Sequence, residues 1–427
     1  MHNKTLLFFL ITGNLVSAQL TYNTPESVGL NSSYIEFNVD SIMNDAINQK
    51  AFPGAQLLVA KKGKIIFHKT YGFHTYDSVQ KVAKDDIYDL ASVTKIVGPL
   101  PALMKLYEEG KIDLDAPFSN YWTSWKNRKD KKDITLRELL SHQAGMNPYI
   151  VFLCEVLKNG TPKNRFIKKE SEKRYSKKVY NILYVKNRFN KKVFRKIKRS
   201  KVSNDKTYQY SGLASLIYPT LIEKITGENY EDYLNKNFYK PLSCEVLGYN
   251  PLTKNFKNNI VPTELDSFFR KDYVKGYVHD ENAALLGGVS GNAGLFATAL
   301  DLGKYMQMLL QKGTYDGTHF FKPSTVDAFT KIQYPENNNR RGLGFDKPII
   351  RNDTLSIKEA YPAPQVSPES FGHSGFTGTF VWADPANDIV FIFLSNRVYP
   401  TRSHTNIYNL NVRPKLQQVF YTSPKSE

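Results

Sequence analysis

Strand-forming sequence in this chain lies near its two ends, and helix-forming sequence fills the middle. Near the start, "GAQLLVAKKGKIIFHKTYGF" is an apolar run, a turn at "KKGK" and a second, alternating run, the pattern of a β-hairpin. Near the end, "GHSGFTGTFVWADPANDIVFIFLSN" reads as two strands joined at the turn signal "DPAND". Strands so far apart in sequence, with helices between them, predict an α+β fold. Its antiparallel sheet is built from both chain ends and flanked by helices, with a mostly helical lobe inserted between the two halves. A length of 427 residues suits one large two-lobed domain or two domains, and 41% apolar residues suffice for a substantial core.

The helical readings are specific. "NSSYIEFNVDSIMNDAINQK" has helical periodicity, as does the stretch from Ala91 to about Asp113, where Pro99 and Pro101 should kink or restart the helix. "DITLRELLSHQAGMNP" reads as a short helix and a glycine-bounded loop. "GLASLIYPTLIEKITG" and "NYEDYLNKNFYKPL" read as two more helices. In "DLGKYMQMLLQKG", Asp301 is placed to cap the start and Gly313 to close the end. "NIYNLNVRPKLQQVFY" reads as a closing helix interrupted at Pro414.

Residues 1–18 read as an export signal: Lys4 ahead of the short apolar run "LLFFLITGNLV", then small residues in "VSA" before Gln19. The mature chain, residues 19–427, is therefore expected to be periplasmic or secreted, with no transmembrane helix after signal removal. Cys154 and Cys244 read as two buried free thiols, and neither has histidine neighbours at zinc-ligand spacing. The net charge of +18 is concentrated. Lys158 to Lys201 holds 18 Lys and Arg against Glu170 and Glu172, which leaves the rest of the chain near neutrality. This basic insertion, about residues 156–204, interleaves its charges with aromatic and β-branched residues. Such interleaving suits nucleic acid, but export argues against that partner. A solvated surface insertion is the plainer reading, and attraction to an anionic envelope polymer or lipid surface the functional one.

Ser-x-x-Lys occurs three times, at Ser78–Lys81, Ser92–Lys95 and Ser203–Lys206. Only Ser92 opens an apolar helical run. There, residues three apart share a face, so the Lys95 ammonium can reach the Ser92 hydroxyl. A lysine acting as base near neutrality needs its pKa lowered by roughly three units, about 4 kcal/mol. A Ser–Lys pair also needs a second proton-transfer group and oxyanion donors. Tyr210 in "YQYSG", at a loop-to-helix junction, is a candidate for the first. "FGHSGFTGT" offers a strand backbone that Gly375 opens to close approach.

Together these motifs resemble the serine β-lactamase and penicillin-binding-protein superfamily, and within it the class C β-lactamase-like group with its D-Ala-D-Ala carboxypeptidase and esterase relatives. The first motif matches at Ser92–Lys95. The second, Tyr-x-Asn, matches in part at Tyr210-Ser211-Gly212, and the third at His373-Ser374-Gly375. "LRELLSHQAGM", "GENYEDYLNKNFYKPL" and "GGVSGNAGLFATALDLGKYMQMLL" fit as well, and the resemblance runs from about Thr24 to Tyr421. It implies an acyl-enzyme on Ser92, with Lys95 and Tyr210 moving its proton. The N–H groups of Ser92 and Phe376 form the oxyanion hole, and His373 and Ser374 contact substrate. It implies no metal or organic cofactor, and a small-molecule or peptidoglycan-derived substrate.

Two departures bear on substrate. Gly212 stands where the family carries Asn, and His373 replaces a permanent lysine charge with one that depends on pH. Both favour esters or a broad acyl substrate over efficient β-lactam hydrolysis or strict D-Ala-D-Ala recognition. His142 in "LLSHQAGM" reads as structural, while His279 and Asp280 either border the cleft or cap a turn. An α/β-hydrolase reading fails because "GHSGF" and "GVSGN" lack the final glycine of Gly-x-Ser-x-Gly. The rival is a family member that keeps the cleft, has lost the chemistry and binds envelope ligands.

Overall fold

In a computed structural model, residues 19–254, 256 and 259–426 are described. The residues read as an export signal lie outside that range. The sheet is six-stranded, in the order β1–β3–β2–β6–β5–β4. Its strands are β1 (Thr21–Tyr22), β2 (Gly54–Lys61), β3 (Lys64–Gly72), β4 (Phe371–Ser374), β5 (Phe380–Asp384) and β6 (Ile389–Ser395). The two chain ends meet where β2 pairs antiparallel with β6, from Lys61 opposite Ile389 to Ala55 opposite Ser395. Only the short edge strand β1 runs parallel to its neighbour. The expected hairpin turn forms at Lys62 and Gly63, at φ +51° and +73°, left-handed conformations that match the twist of paired strands.

Both faces of the sheet are covered, which is why "LLVA" and "VFIFL" read as unbroken apolar runs. Leu57, Val59 and Phe391 face α1 (Ser32–Asn48) and α13 (Val412–Thr422), meeting Val39, Met43 and Phe420. Leu58, Ala60 and Ile392 face the opposite way, towards Leu302 and Met306 of α10 (Ala299–Leu310). That second core continues into the helical lobe: α2 (Thr94–Val97), α3 (Pro99–Glu108), α4 (Leu136–Leu140), α5 (Leu153–Val156), α6 (Phe189–Arg199), α7 (Tyr218–Thr226) and α8 (Tyr230–Leu234), while Ala283 and Ala284 of α9 (Glu281–Ala284) pack in a small cluster of their own. Helix α11 (Pro323–Thr330) packs on α3, and the single turn α12 (Asn406–Asn409) precedes α13.

Five readings need correction. The stretch from Ala91 is a 3-10 turn, the one-turn α2, a break at Gly98 (φ −93°, ψ −92°) and then α3, which stops at Glu108. Pro99 restarts the helix at a position where its missing N–H costs nothing. Thr298, not Asp301, caps α10. The Asp301 carboxylate instead accepts from the N–H groups of Glu245, Val246 and Leu247. Pro414 lies inside the first turn of α13, where no intrahelical N–H is needed, and the break comes at Asn411, φ +51°. The basic insertion is no solvated appendage: Ile167, Val179, Val185, Phe189, Val193 and Ile197 are buried in the main core. The thiols are unpaired, as expected, but Cys154 is exposed rather than buried. Among the described residues no helix is long and apolar enough to cross a membrane.

Candidate active site

The chain bends sharply into the first motif. Ala91 sits at φ +45°, a conformation few residues with a Cβ adopt, and its N–H donates to Asp89 Oδ1 at 2.8 Å. The buried Asp89 also accepts the His279 N–H at 2.6 Å. This bend delivers Ser92, partly exposed, to the head of α2. One turn on, Lys95 is only 8% exposed. Its Nζ lies 2.9 Å from Ser92 Oγ and donates to the Asn292 carbonyl at 3.0 Å. Asn292 is itself anchored, donating to Asp280 Oδ1 and accepting from Ser290.

Tyr210 completes the cluster. Its ring lies 5.4 Å from Lys95 Nζ. Burial alone would raise the phenol, but the Lys95 ammonium, the Ser92 hydroxyl and the Arg341 guanidinium outweigh it and hold Tyr210 below its ordinary value. The Tyr210 ring also packs 4.4 Å from His142 and 6.2 Å from His373. His142 belongs to this layer, although its sequence context reads as structural alone. Its Nδ1 accepts the Ser211 N–H, so the ring is neutral with its proton on Nε2. Burial, Arg341 and Lys95 keep its pKa well below the usual histidine value.

The third motif lies on β4. His373 Nδ1 donates to the Ser374 carbonyl at 2.7 Å, because a carbonyl oxygen only accepts; Nε2 is then a bare acceptor, buried without a partner among the described residues. Burial, with Arg341 and Lys95 adding to it, lowers His373 to about 3. The ring therefore carries no pH-dependent charge near neutrality, contrary to expectation. The permanent cation here is Arg341, which the sequence reading missed. It is 2% exposed, pairs with Asp346 at 3.2 Å, and stands 5.7 Å from the Tyr210 ring. Only its burial beside the site marks the residue.

The turn after β4 is tied to the strand before Ser92. Thr377 Oγ1 donates to the Asp89 carbonyl at 2.8 Å and Thr379 Oγ1 to the Leu90 carbonyl at 3.0 Å. A Cβ on Gly375 would lie 2.0 Å from Thr379 Oγ1 and 2.5 Å from the Leu90 carbonyl. The close approach that Gly375 permits is thus made by the protein's own backbone. It sets Phe376 beside Ser92 on one cleft wall. Phe376 stacks on His279, and its carbonyl accepts from Arg397. Asp280 both caps α9 and borders the cleft, so its two readings coexist. At Gly212 an added Cβ meets nothing within 4 Å, so the space of the family's Asn is open.

The cleft over Ser92 measures about 1010 Å³. Tyr149, Val151, Leu153, Leu157, Phe268 and Phe376 give it apolar walls. The first hairpin of the basic insertion, with Lys158, Asn159 and Gly160, closes one side. Among the described residues no cluster of His, Cys, Asp and Glu is arranged to hold a metal ion.

Comparison with known proteins gives the chain's relatives. A family model described as Beta-lactamase matches residues 39–412. The N-acetylmuramyl-L-alanine amidase of Bacillus subtilis (strain 168) is 29% identical, over 97% of this chain and 95% of that protein. An Escherichia coli O157:H7 protein named "Putative D-alanyl-D-alanine carboxypeptidase" is 29% identical, over 88% and 86%. The solved structure of EstCE1, a hydrolase with promiscuous acyltransferase activity, superposes with a TM-score of 0.64, covering 90% of this chain and 98% of that one at 16% identity. That last likeness speaks to fold alone. With a family match spanning both halves of the sheet and all three motif segments, the chain belongs to the beta-lactamase family of serine hydrolases.

Proposed function

We propose that the protein is an exported serine hydrolase that forms an acyl-enzyme on Ser92, with esters or cell-wall D-peptides as substrates and weak turnover of β-lactams. The observation that carries this reading is the 2.9 Å contact between Lys95 Nζ and Ser92 Oγ, with the Tyr210 ring 5.4 Å from Lys95 Nζ. Tyr210, held below its ordinary pKa, takes the Ser92 proton as Oγ attacks the carbonyl carbon. The Lys95 ammonium stabilises the phenolate form that accepts this proton, and the transfer leaves a neutral phenol. The carbonyl oxygen, now negative, faces the N–H groups of Ser92 and Phe376, donors each worth about 10²–10³ in rate. Tyr210 returns the proton to the leaving group, and water repeats the sequence to release the acyl group.

The apolar cleft and the neutral His373 favour an uncharged ester, while the names of the curated relatives favour cell-wall D-peptides. Gly212 keeps the non-catalytic binder in view, because the amide that would hold a substrate there is absent. Intact-protein mass after incubation with a fluorophosphonate and, separately, a penicillin tests the reading on the mature chain and on Ser92→Ala. An adduct that needs Ser92 supports it. A persistent penicillin adduct points to D-peptides, and phosphonate labelling alone to esters. Absence of any adduct on folded protein overturns the hydrolase and leaves the binder.

A further inference from the structure

The insertion folds its charges around a second concavity. Helix α6 is amphipathic: Phe189, Val193 and Ile197 are buried, while Lys191, Arg195 and Arg199 are exposed. The segments around Lys173–Arg174 and Lys186–Arg188 face it across a groove of about 1100 Å³. Nine Lys and Arg line this groove. Two of them, Lys192 and Lys196, share the Glu155 carboxylate at 2.6 Å each. The other seven have no carboxylate partner within ion-pair distance among the described residues. The floor is aromatic, with Lys192 Nζ 4.7 Å from the Phe166 ring and Phe189 edge-on at 5.9 Å.

Seven cations lining one concavity with no carboxylate partner among the described residues repel one another, screened only over a Debye length of about 8 Å at physiological salt. Four of the nine are arginines, Arg174, Arg188, Arg195 and Arg199, whose forked donors match phosphate oxygens two at a time. A groove, unlike a flat basic face, receives a strand rather than a bilayer. We infer that this groove is a binding site for a linear polyanion bearing phosphate groups, separate from the Ser92 cleft and joined to it through α5. Leu153 and Cys154 of that single turn line the cleft, while Glu155 holds the two groove lysines. The inference does not rest on the hydrolase reading, and Ser92→Ala protein serves equally well.

The test is fluorescence anisotropy with labelled long-chain inorganic polyphosphate on the Ser92→Ala chain across a NaCl series. Binding should weaken steeply with salt, and inorganic phosphate should not compete at equal phosphate concentration. Arg188→Glu/Arg195→Glu should weaken binding at least tenfold, with unchanged circular dichroism. Lys236→Glu/Lys358→Glu, the same charge change on exposed residues outside the groove, should alter it less than threefold. Equal losses in both pairs would reduce the effect to net charge and overturn the site. So would absence of binding at low salt. Tighter binding to phosphatidylglycerol vesicles, or to a single-stranded oligodeoxynucleotide, would reassign the groove to a membrane or to nucleic acid.

Discussion

At the scale of single residues, the site is a small buried cluster whose charges are fixed by contact. Arg341 is the permanent cation behind Tyr210 and His373, so Arg341→Met should let the Tyr210 phenol rise. The acid limb of the kcat/KM profile should then move to higher pH; an unmoved limb would show that Tyr210 is not the group titrating. Gly212 offers the complementary test. With no atom within 4 Å of its Cβ position, Gly212→Asn should change stability by less than about 0.5 kcal/mol. Penicillin acylation should rise about two- to thirteenfold, the worth of one net hydrogen bond of about 0.5–1.5 kcal/mol. A stopped-flow acylation rate equal to that of the native chain would show that the open space does not meet the ligand. Ser92, Lys95, Tyr210 and His373 were all legible in sequence, because their chemistry is carried by residue type and motif spacing. Arg341 and the packing of His142 were not: what makes them part of the site is burial against Tyr210, and no local pattern records which loop a distant fold will bury.

At the scale of elements, the proposed oxyanion hole depends on how the turn after β4 hangs from the bend before α2. Two threonine hydroxyls make that link, and the absent Cβ of Gly375 leaves room for it. Thr377→Val would leave the buried Asp89 carbonyl short of this donor, at a cost of about 1–3 kcal/mol. Gly375→Ala would place a Cβ 2.0 Å from Thr379 Oγ1 and 2.5 Å from the Leu90 carbonyl, forcing these groups away at a cost of about 1–3 kcal/mol and displacing the Phe376 N–H. Both variants should remain folded, with kcat for an ester falling by about 10²–10³ if the donor is lost. Unchanged kcat in Gly375→Ala would remove Phe376 from the oxyanion hole. The two hairpins were readable because their turns and apolar runs are local. The helix boundaries were not, because capping depends on which hydroxyl or carboxylate wins. Thr298 caps α10, while the carboxylate of Asp301 is drawn off to three backbone N–H groups on another segment. The insertion misled for the same reason. Its charges dominate the composition, yet every third or fourth residue of α6 faces the core.

For the whole molecule, the buried neutral histidines tie stability to pH. His373, lowered to about 3, and His142, lowered well below its usual value, stay unprotonated in the folded state down to acidic pH. In the unfolded chain both take up a proton near pH 6.5. Between pH 6.5 and about 3 the unfolded state therefore binds more protons than the folded one, and stability falls as pH falls. Asp346 adds to the same trend. Its burial would raise it, but Arg341 and Arg340 outweigh that, so the carboxylate's stabilising contribution is also lost on acidification. Each such histidine contributes about 1.4 kcal/mol per pH unit across its window. Chemical denaturation of the native chain and of His373→Asn, repeated from pH 7 to pH 4, should separate the contributions. The variant is expected to be less stable at pH 7, where the native ring is well packed, and to lose stability with a shallower slope, by up to one proton. Parallel slopes would mean that His373 is protonated within the fold. The third motif would then carry a titrating charge after all, and a carboxylate-bearing substrate would become the better match to the cleft.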